Sequence, residues 1–253
     1  MDRPPATLLA RESWSLGVQA IYAMPRLFGG TFALLLAFGA VFRWQHPPGV
    51  DLAMPATRLL GYASDLATEV IIAGAMIAVY RSVLLREVRD RPVWALPPHY
   101  DRFLLWTLLL NLPLLPAVAL QAVTGDPKVA TAVELLLTVA AFAVALVLLV
   151  RLAVLLPLVA ADAAGAGWRG AWAMSRGHAW RFIAVGFLTF LPLEVAAYAA
   201  TRLLNDLGGP AAFLAGATFD AAKALLLGAI GAAMWSRLVQ VYGGAPPRPA
   251  APW

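Results

Sequence analysis

A series of long apolar segments restricts the fold of this 253-residue chain more than any other feature. A helix needs about 20 mostly apolar residues to cross the hydrocarbon core of a bilayer. Six segments meet this requirement: 25–44, 59–80, 103–123, 129–157, 180–201 and 211–236. Backbone N–H and C=O groups find no water in hydrocarbon, so such segments cross as helices. The sequence therefore predicts an all-α polytopic membrane protein, with a bundle of six transmembrane helices in one membrane domain over residues 1–243.

Composition supports this class of protein. Hydrophobic residues make up 61% of the chain and charged residues 13%, against roughly 45–50% and 25% in soluble domains. Cysteine is absent, which excludes disulfides, thiolate chemistry and cysteine-ligated metal sites. The basic residues are scattered among apolar runs. The sequence pI of about 10.0 therefore indicates topology and contact with anionic headgroups, and we expect no nucleic acid as a partner.

The distribution of Lys and Arg predicts the orientation. The terminal and connecting regions on one side of the membrane hold Arg3, Arg11, Arg26, Arg81, Arg86, Arg89, Arg91, Arg102, Arg151, Arg169, Arg176, Arg181, Arg237 and Arg248. The regions on the other side hold Arg43, Arg58, Lys128 and Arg202. Basic residues favour the cytoplasmic side of a membrane. We therefore expect a multi-pass protein with both termini in the cytoplasm.

Two further segments, 6–23 and 165–176, have the composition of interfacial amphipathic helices. In the second, Trp168 and Trp172 are four residues apart and share a helix face. Arg169 and Arg176 occupy a neighbouring stripe, as in a helix that lies on anionic headgroups of the inner leaflet. The alternative is a short cytosolic connector packed on the bundle. The expected contacts with headgroups or the interface are Arg81, Arg151, Trp168, Arg169, Trp172, Arg176, Trp180 and Arg181. Residues 244–253 form a Pro-rich tail that is predicted to be disordered.

Two motifs resemble a group of uncharacterised bacterial membrane proteins. The segment "VYRSVLLRE", from Val79 to Glu87, is similar to a His-Arg-x-x-Leu-Leu-Gly-Glu pattern that ends the second span in that group. Tyr80 stands in place of the His and Arg86 in place of the Gly. The segment "RLAVLLPLVAADAAGAGWRGAWAMSRGHAWRF" is similar to an Arg-x5-Pro element followed by Ala-Trp-x-x-Ser-Arg-Gly-x-x-Trp. The matching positions are Arg151, Pro157, Ala171, Trp172, Ser175, Arg176, Gly177 and Trp180.

The group includes YciC-like proteins and the membrane domain that precedes some glycerophosphodiester phosphodiesterases. The resemblance implies a six-span bundle in a bacterial inner membrane and brings no established activity. The phosphodiesterase catalytic domain of those fusions is not in this chain.

Charged residues inside the predicted spans form an intramembrane polar cluster. Its members are Asp65, Glu69, Glu134, Glu194, Asp220 and Lys223. Asp65 and Glu134 are expected in the outer half of the bilayer, and the others near its middle. Small and acidic residues repeat at spacing four in two ladders, so both faces are expected to point into the bundle. The ladder in segment 59–80 is Gly61, Asp65, Glu69 and Ala73, and the ladder in segment 211–236 is Gly216, Asp220, Ala224, Gly228 and Ala232. We expect Lys223 to pair with Asp220 and with Glu69 or Glu194.

Two interpretations of the cluster remain open. A charge near the bilayer centre costs roughly 3 kcal/mol even on lenient insertion scales, so the groups indicate a hydrated, outward-open cavity that binds a cation or carries protons. The alternative is an internal network that fixes helix register, with some carboxylates protonated.

The search for enzyme signatures is negative. The sequence has no His-Glu-x-x-His, no Gly-x-Ser-x-Gly and no P-loop, and it has three histidines. We therefore expect no enzymatic activity, no catalytic residues, no metal and no cofactor. The predicted function is that of an accessory, organising or lipid-interacting subunit of a membrane assembly, with partner subunits or a homo-oligomer as possible partners. The alternative is a small-solute or ion transporter that uses the buried carboxylates.

Overall fold

A computed structural model describes residues 4–45, 55–112, 115, 132–163, 166–205 and 209–243 of the chain. The described residues fold into helices. These are α1 (Ala6–Ala23), α2 (Pro25–Gln45), α3 (Pro55–Leu85), α4 (Tyr100–Asn111), α5 (Ala132–Leu152), α6 (Leu155–Ala160), α7 (Trp168–Ser175), α8 (Ala179–Asn205) and α9 (Gly209–Tyr242). The predicted all-α class is confirmed, and the predicted tail 244–253 lies outside the described residues.

Five helical stretches within the described residues are long and apolar enough to cross a membrane. They are Pro25–Gln45, Leu59–Leu85, Val139–Ala160, Ala179–Leu204 and Ala211–Tyr242. These stretches correspond to five of the six predicted spans. The remaining predicted span, 103–123, begins within α4, but most of its residues after position 112 lie outside the described part of the chain. The membrane class is therefore supported, and the sixth span stays a prediction.

Helix α9 is the centre of the bundle, packed against α1, α2, α3, α6 and α8. Close approach depends on small residues along it. Gly228 faces the side chains of Ile72 and Met76 on α3. Gly17 of α1 faces the backbone of Ile230 so closely that an added Cβ would lie 2.8 Å from the Ile230 Cα. The glycine on α1 therefore sets the distance between these two helices.

The first helix has the bounds predicted for an amphipathic segment, and one of its faces is packed on the bundle. Its indole donor, Trp14 Nε1–H, bonds the Thr189 carbonyl oxygen of α8 at 2.9 Å. Glu12 pairs with Arg237 of α9 at 2.6 Å. The opposite face leaves Tyr22 exposed. Helix α1 is thus anchored to α8 and α9, and its location at the membrane interface stays a prediction.

The two ends of the bundle differ in chemistry. At the proximal end, defined by α1, the start of α2 and the C-terminal ends of α3 and α9, the backbone N–H groups of Arg26 and Leu27 donate to Asp90 Oδ1 at 2.9 and 3.1 Å. There Gln240 also donates to the Val83 carbonyl oxygen at 2.8 Å. The distal end, defined by the C-terminal end of α2 and the N-terminal ends of α3 and α9, holds Arg43 in the last turn of α2.

Candidate functional site

A cavity of about 580 Å³ opens between α2, α3 and α9 near the distal end. We call it the distal cavity. Its lining combines charges, hydroxyls, two phenylalanine rings and small or aliphatic residues: Leu35, Phe38, Gly39, Phe42, Arg43, Ser64, Asp65, Thr68, Asp220, Ala221, Lys223, Ala224 and Leu227. Three members of the predicted polar cluster, Asp65, Asp220 and Lys223, therefore line one cavity.

Two ion pairs join helices beside this cavity. Arg43 of α2 donates from Nη2 to Asp220 Oδ2 of α9 at 2.6 Å. Lys223 donates from Nζ to Glu194 Oε2 of α8 at 2.9 Å. Through Asp220 and Lys223, α9 is thus tied to α2 on one side and to α8 on the other.

The remaining acids of the cluster have different surroundings. Asn111 of α4 donates from Nδ2 to Glu69 Oε2 at 2.8 Å. Asp65 forms no hydrogen bond or ion pair with any residue that the structure describes. Glu134 lies on α5, but its side chain is outside the described part of the chain. The members of the predicted cluster therefore have different partners and do not form one network among the described residues.

The pairing of Lys223 with Glu194 was one of the predicted alternatives, but the predicted contact with Asp220 is replaced. Asp220 binds Arg43 instead. The sequence assigned Arg43 to a connecting region, whereas α2 continues to Gln45 and holds Arg43 in its last turn. The guanidinium lies directly over Gly216, one turn before Asp220, where a side chain would collide with it. The small residue of the ladder thus makes room for a cation from another helix.

The same contact gives the position of Asp220 relative to α2, while its depth in a bilayer stays a prediction. Because Arg43 is in the last turn of α2, Asp220 is level with the distal end of that helix and not with its middle. On the α9 ladder, Gly216 beneath the Arg43 guanidinium and Ala232 toward the proximal end are buried, whereas the Asp220 side chain between them is 56% exposed. On α3, Ala73 is likewise fully buried, while Asp65 is exposed in the cavity. Asp65 and Asp220 are therefore exposed, although small residues of both ladders are packed.

We expect a double-mutant cycle to distinguish the two possible partners of Lys223. Lys223→Met and Glu194→Gln should couple by about 0.5–1 kcal/mol, because the pair is partly exposed and such pairs are weak. Lys223→Met and Asp220→Asn should be additive. Thermal unfolding of the single and double variants in one detergent measures both couplings. A larger coupling with Asp220 would contradict the observed pairing.

The second candidate site is the α7 surface, formed by Trp168, Arg169, Trp172, Ala173 and Arg176 around a pocket of about 430 Å³. The residues Trp168 and Trp172 are 54% and 39% exposed. The guanidinium of Arg169 lies 6.0 Å from the ring centre of Trp168. These contacts place cations and amphipathic rings on one exposed patch.

Arg151 extends this surface from the end of α5. Its guanidinium lies 5.2 Å from the ring centre of Trp172. Its Nη1 group is buried and has no hydrogen-bond partner among the described residues. Helix α7 itself is shorter than the predicted 165–176. Trp180 and Arg181 are on α8 and do not line the pocket, although the Trp180 side chain is 80% exposed.

Arg81, also expected to contact headgroups, is bound by protein groups. Its Nε and Nη2 atoms donate to Glu87 Oε2 at 3.1 and 2.9 Å. Its Nη1 atom donates to the Ala160 carbonyl oxygen at 3.0 Å. The side chain is only 15% exposed. Arg81 therefore connects the end of α3 to the end of α6, a role that the sequence did not indicate.

Within the described ranges, no group of three or more His, Asp or Glu side chains could hold a metal ion. Comparison with models of protein families, with curated proteins and with solved structures found no match.

Proposed function

We propose that this protein is a non-enzymatic, multi-pass membrane protein that binds anionic lipid headgroups through its α7 surface. It would act as an accessory, organising or lipid-interacting subunit of a membrane assembly. The observation that carries this proposal is the exposed patch on which Arg169 and Arg176 lie beside Trp168 and Trp172. Tryptophan favours the headgroup region, and a guanidinium binds phosphate oxygens in a fork geometry.

The proposed orientation places the proximal end and the α7 surface on the cytoplasmic side of a bacterial inner membrane. Arg26, Arg237 and the arginines that follow α3 support this choice, because basic residues favour the cytoplasmic side. The proposal keeps six spans, with the segment 103–123 as the third. Reporter fusions test this topology. With six spans, a fusion at Asp126 is periplasmic and one after Tyr242 is cytoplasmic; a cytoplasmic signal at Asp126 would contradict the third span.

Two backbone conformations support the resemblance to the YciC-like group. Arg86 has φ of 58° at the position where the resembled pattern has glycine. Gly177, which the second motif retains, has φ of 80°. Left-handed backbone favours glycine because it has no Cβ. Both motif positions are therefore sites where the chain turns in a way that glycine suits.

Removing two cations from the α7 surface tests the proposed function. We expect Arg169→Gln together with Arg176→Gln to weaken binding of phosphatidylglycerol by about 2 kcal/mol, at about 1 kcal/mol per basic residue near an anionic surface. Native mass spectrometry of the full-length protein, loaded with defined ratios of phosphatidylglycerol and phosphatidylcholine, measures the change.

The control for this test is Arg89→Gln together with Arg202→Gln, which removes the same charge from exposed positions away from α7. The control should retain most of the preference for phosphatidylglycerol. If both double variants lose the same amount of lipid, the α7 surface is not a specific site and the proposal fails.

The distal cavity favours a second candidate function, transport of a small solute or ion. The observation that favours it is a cavity lined by both carboxylates and cations near one end of the bundle. Solute movement across proteoliposomes that is retained after the α7 substitutions would separate transport from lipid binding.

A further inference from the structure

The three walls of the distal cavity carry different chemistry. Helix α2 contributes Phe38 and Phe42, whose ring centres are 6.3 Å apart in a stacked arrangement. Helix α3 contributes Asp65 between the hydroxyl residues Ser64 and Thr68. Helix α9 contributes one residue of each charge sign. A volume of about 580 Å³ lies within the range of roughly 300–1,000 Å³ that is typical of small-molecule sites.

Among the residues that the structure describes, the ion pairs leave one charge of the cavity lining without a partner. Arg43 is paired with Asp220. Lys223 is paired with Glu194 of α8, a residue outside the cavity lining. Asp65 is the carboxylate of the lining that no described cation neutralises. A carboxylate in surroundings of low dielectric constant is stabilised by a cation. Counted together with Glu194, the charged residues of the described lining therefore have an excess of one negative charge, located at Asp65.

The rest of the lining suits an ammonium group better than a metal ion or an anion. Divalent cations need several oxygen ligands around them, and the described residues include no group of three or more His, Asp or Glu side chains that could supply them. An anion would be repelled by Asp65, and the two neighbouring cations, Arg43 and Lys223, are already paired with carboxylates. An ammonium group donates three hydrogen bonds, for which the Asp65 carboxylate and the Ser64 and Thr68 hydroxyl oxygens are acceptors. Phenylalanine faces also attract cations.

We propose that the distal cavity binds a primary ammonium group, with Asp65 as its counter-ion and Phe38 as part of its aromatic wall. The ammonium group belongs either to a free amine or to the ethanolamine headgroup of a phospholipid in the distal leaflet. This proposal concerns the cavity of the second candidate function and does not depend on the α7 surface. Loss of lipid binding at α7 would therefore leave it intact.

The test uses the full-length protein in nanodiscs of phosphatidylglycerol alone. One arm adds ethanolamine from solution, and the other replaces part of the lipid with phosphatidylethanolamine. Thermal unfolding, followed by tryptophan fluorescence, measures binding as a rise in the midpoint temperature that depends on concentration. A rise in the first arm identifies a soluble amine as the source. A rise only in the second identifies the lipid headgroup. Both outcomes support an ammonium site.

Two variants locate the site. Asp65→Asn should weaken the apparent affinity at least about tenfold, as expected when a charge-assisted hydrogen bond is lost. Phe38→Leu keeps the Asp65 carboxylate and should weaken the apparent affinity by a smaller factor. This variant locates the site if Asp65→Asn does not fold. Asp101→Asn, on α4 and outside the cavity lining, should respond like the unmodified protein. No response in either arm, or an unchanged response in Asp65→Asn and Phe38→Leu, overturns the proposal.

Discussion

Gly17→Ala should lower the free energy of unfolding by about 1–3 kcal/mol, the range typical of an overpacked contact. The added methyl carbon would lie 2.8 Å from the Cα and 3.0 Å from the backbone N of Ile230. Real Cβ atoms do not approach a backbone this closely, and a backbone cannot rotate away as a side chain can. Helix α1 would therefore have to move off α9. Thermal or denaturant unfolding in detergent measures the loss.

Gly29→Ala is the matched control. Gly29 is also inside a helix, α2, but a Cβ there meets nothing within 4 Å. The same substitution should raise stability by about 0.5–1 kcal/mol, because alanine favours the helical backbone more than glycine does. If both variants are equally stable, α1 does not pack on α9 as closely as described.

The helices themselves were predictable because each depends on a local pattern. The continuous apolar run 25–44 corresponds to Pro25–Gln45, and the amphipathic segment 6–23 corresponds to Ala6–Ala23. In an apolar run the backbone must bond to itself because hydrocarbon offers it no water, and in an amphipathic run the helical spacing places the apolar side chains on one face. The packed face of α1 was less predictable, since the contacts of Trp14 and Glu12 are with residues more than 170 positions away.

The candidate site was predictable in its residues and only partly in its contacts. Asp65, Asp220 and Lys223 were identified as one polar cluster, and they do line one cavity. The partner of Asp220 was not predicted, because Arg43, at the end of the predicted span 25–44, was counted with the region that follows the span, and helix ends are uncertain by about a turn. Gly216 was the available signal. A glycine one turn before an acid leaves space for a large cation from a neighbouring helix.

The predicted headgroup contacts show which side-chain neighbours a sequence pattern can and cannot predict. Spacing placed Trp168 beside Trp172 correctly, and the pocket confirms that Arg169 and Arg176 are near them. The same reasoning assigned Arg81 to headgroups because an arginine at a helix end commonly reaches phosphate. The sequence did not indicate that Arg81 donates to the Ala160 carbonyl oxygen, because the two residues are far apart along the chain. They come together only when α6 packs beside α3.

Arg81→Gln should therefore lower the free energy of unfolding by about 3 kcal/mol, as expected when one partner of a largely buried ion pair is removed. The change leaves the Glu87 carboxylate without its main cation and the Ala160 carbonyl oxygen without its donor. Arg81→Lys should recover only part of the loss, because an ammonium group cannot reproduce the fork geometry of the guanidinium toward two acceptors.

Arg89→Gln separates this structural role from a general effect of charge. Arg89 Nη2 lies 3.8 Å from the same Glu87 oxygen, but the side chain is 64% exposed. Exposed pairs of this kind contribute about 0–1 kcal/mol, so Arg89→Gln should leave the unfolding midpoint nearly unchanged. Both variants remove one positive charge from the proximal end. If they destabilise the protein equally in detergent, the contact with Ala160 contributes nothing. If Arg81→Gln has an effect only in anionic bilayers, the arginine acts on headgroups and the structural role assigned to it is wrong.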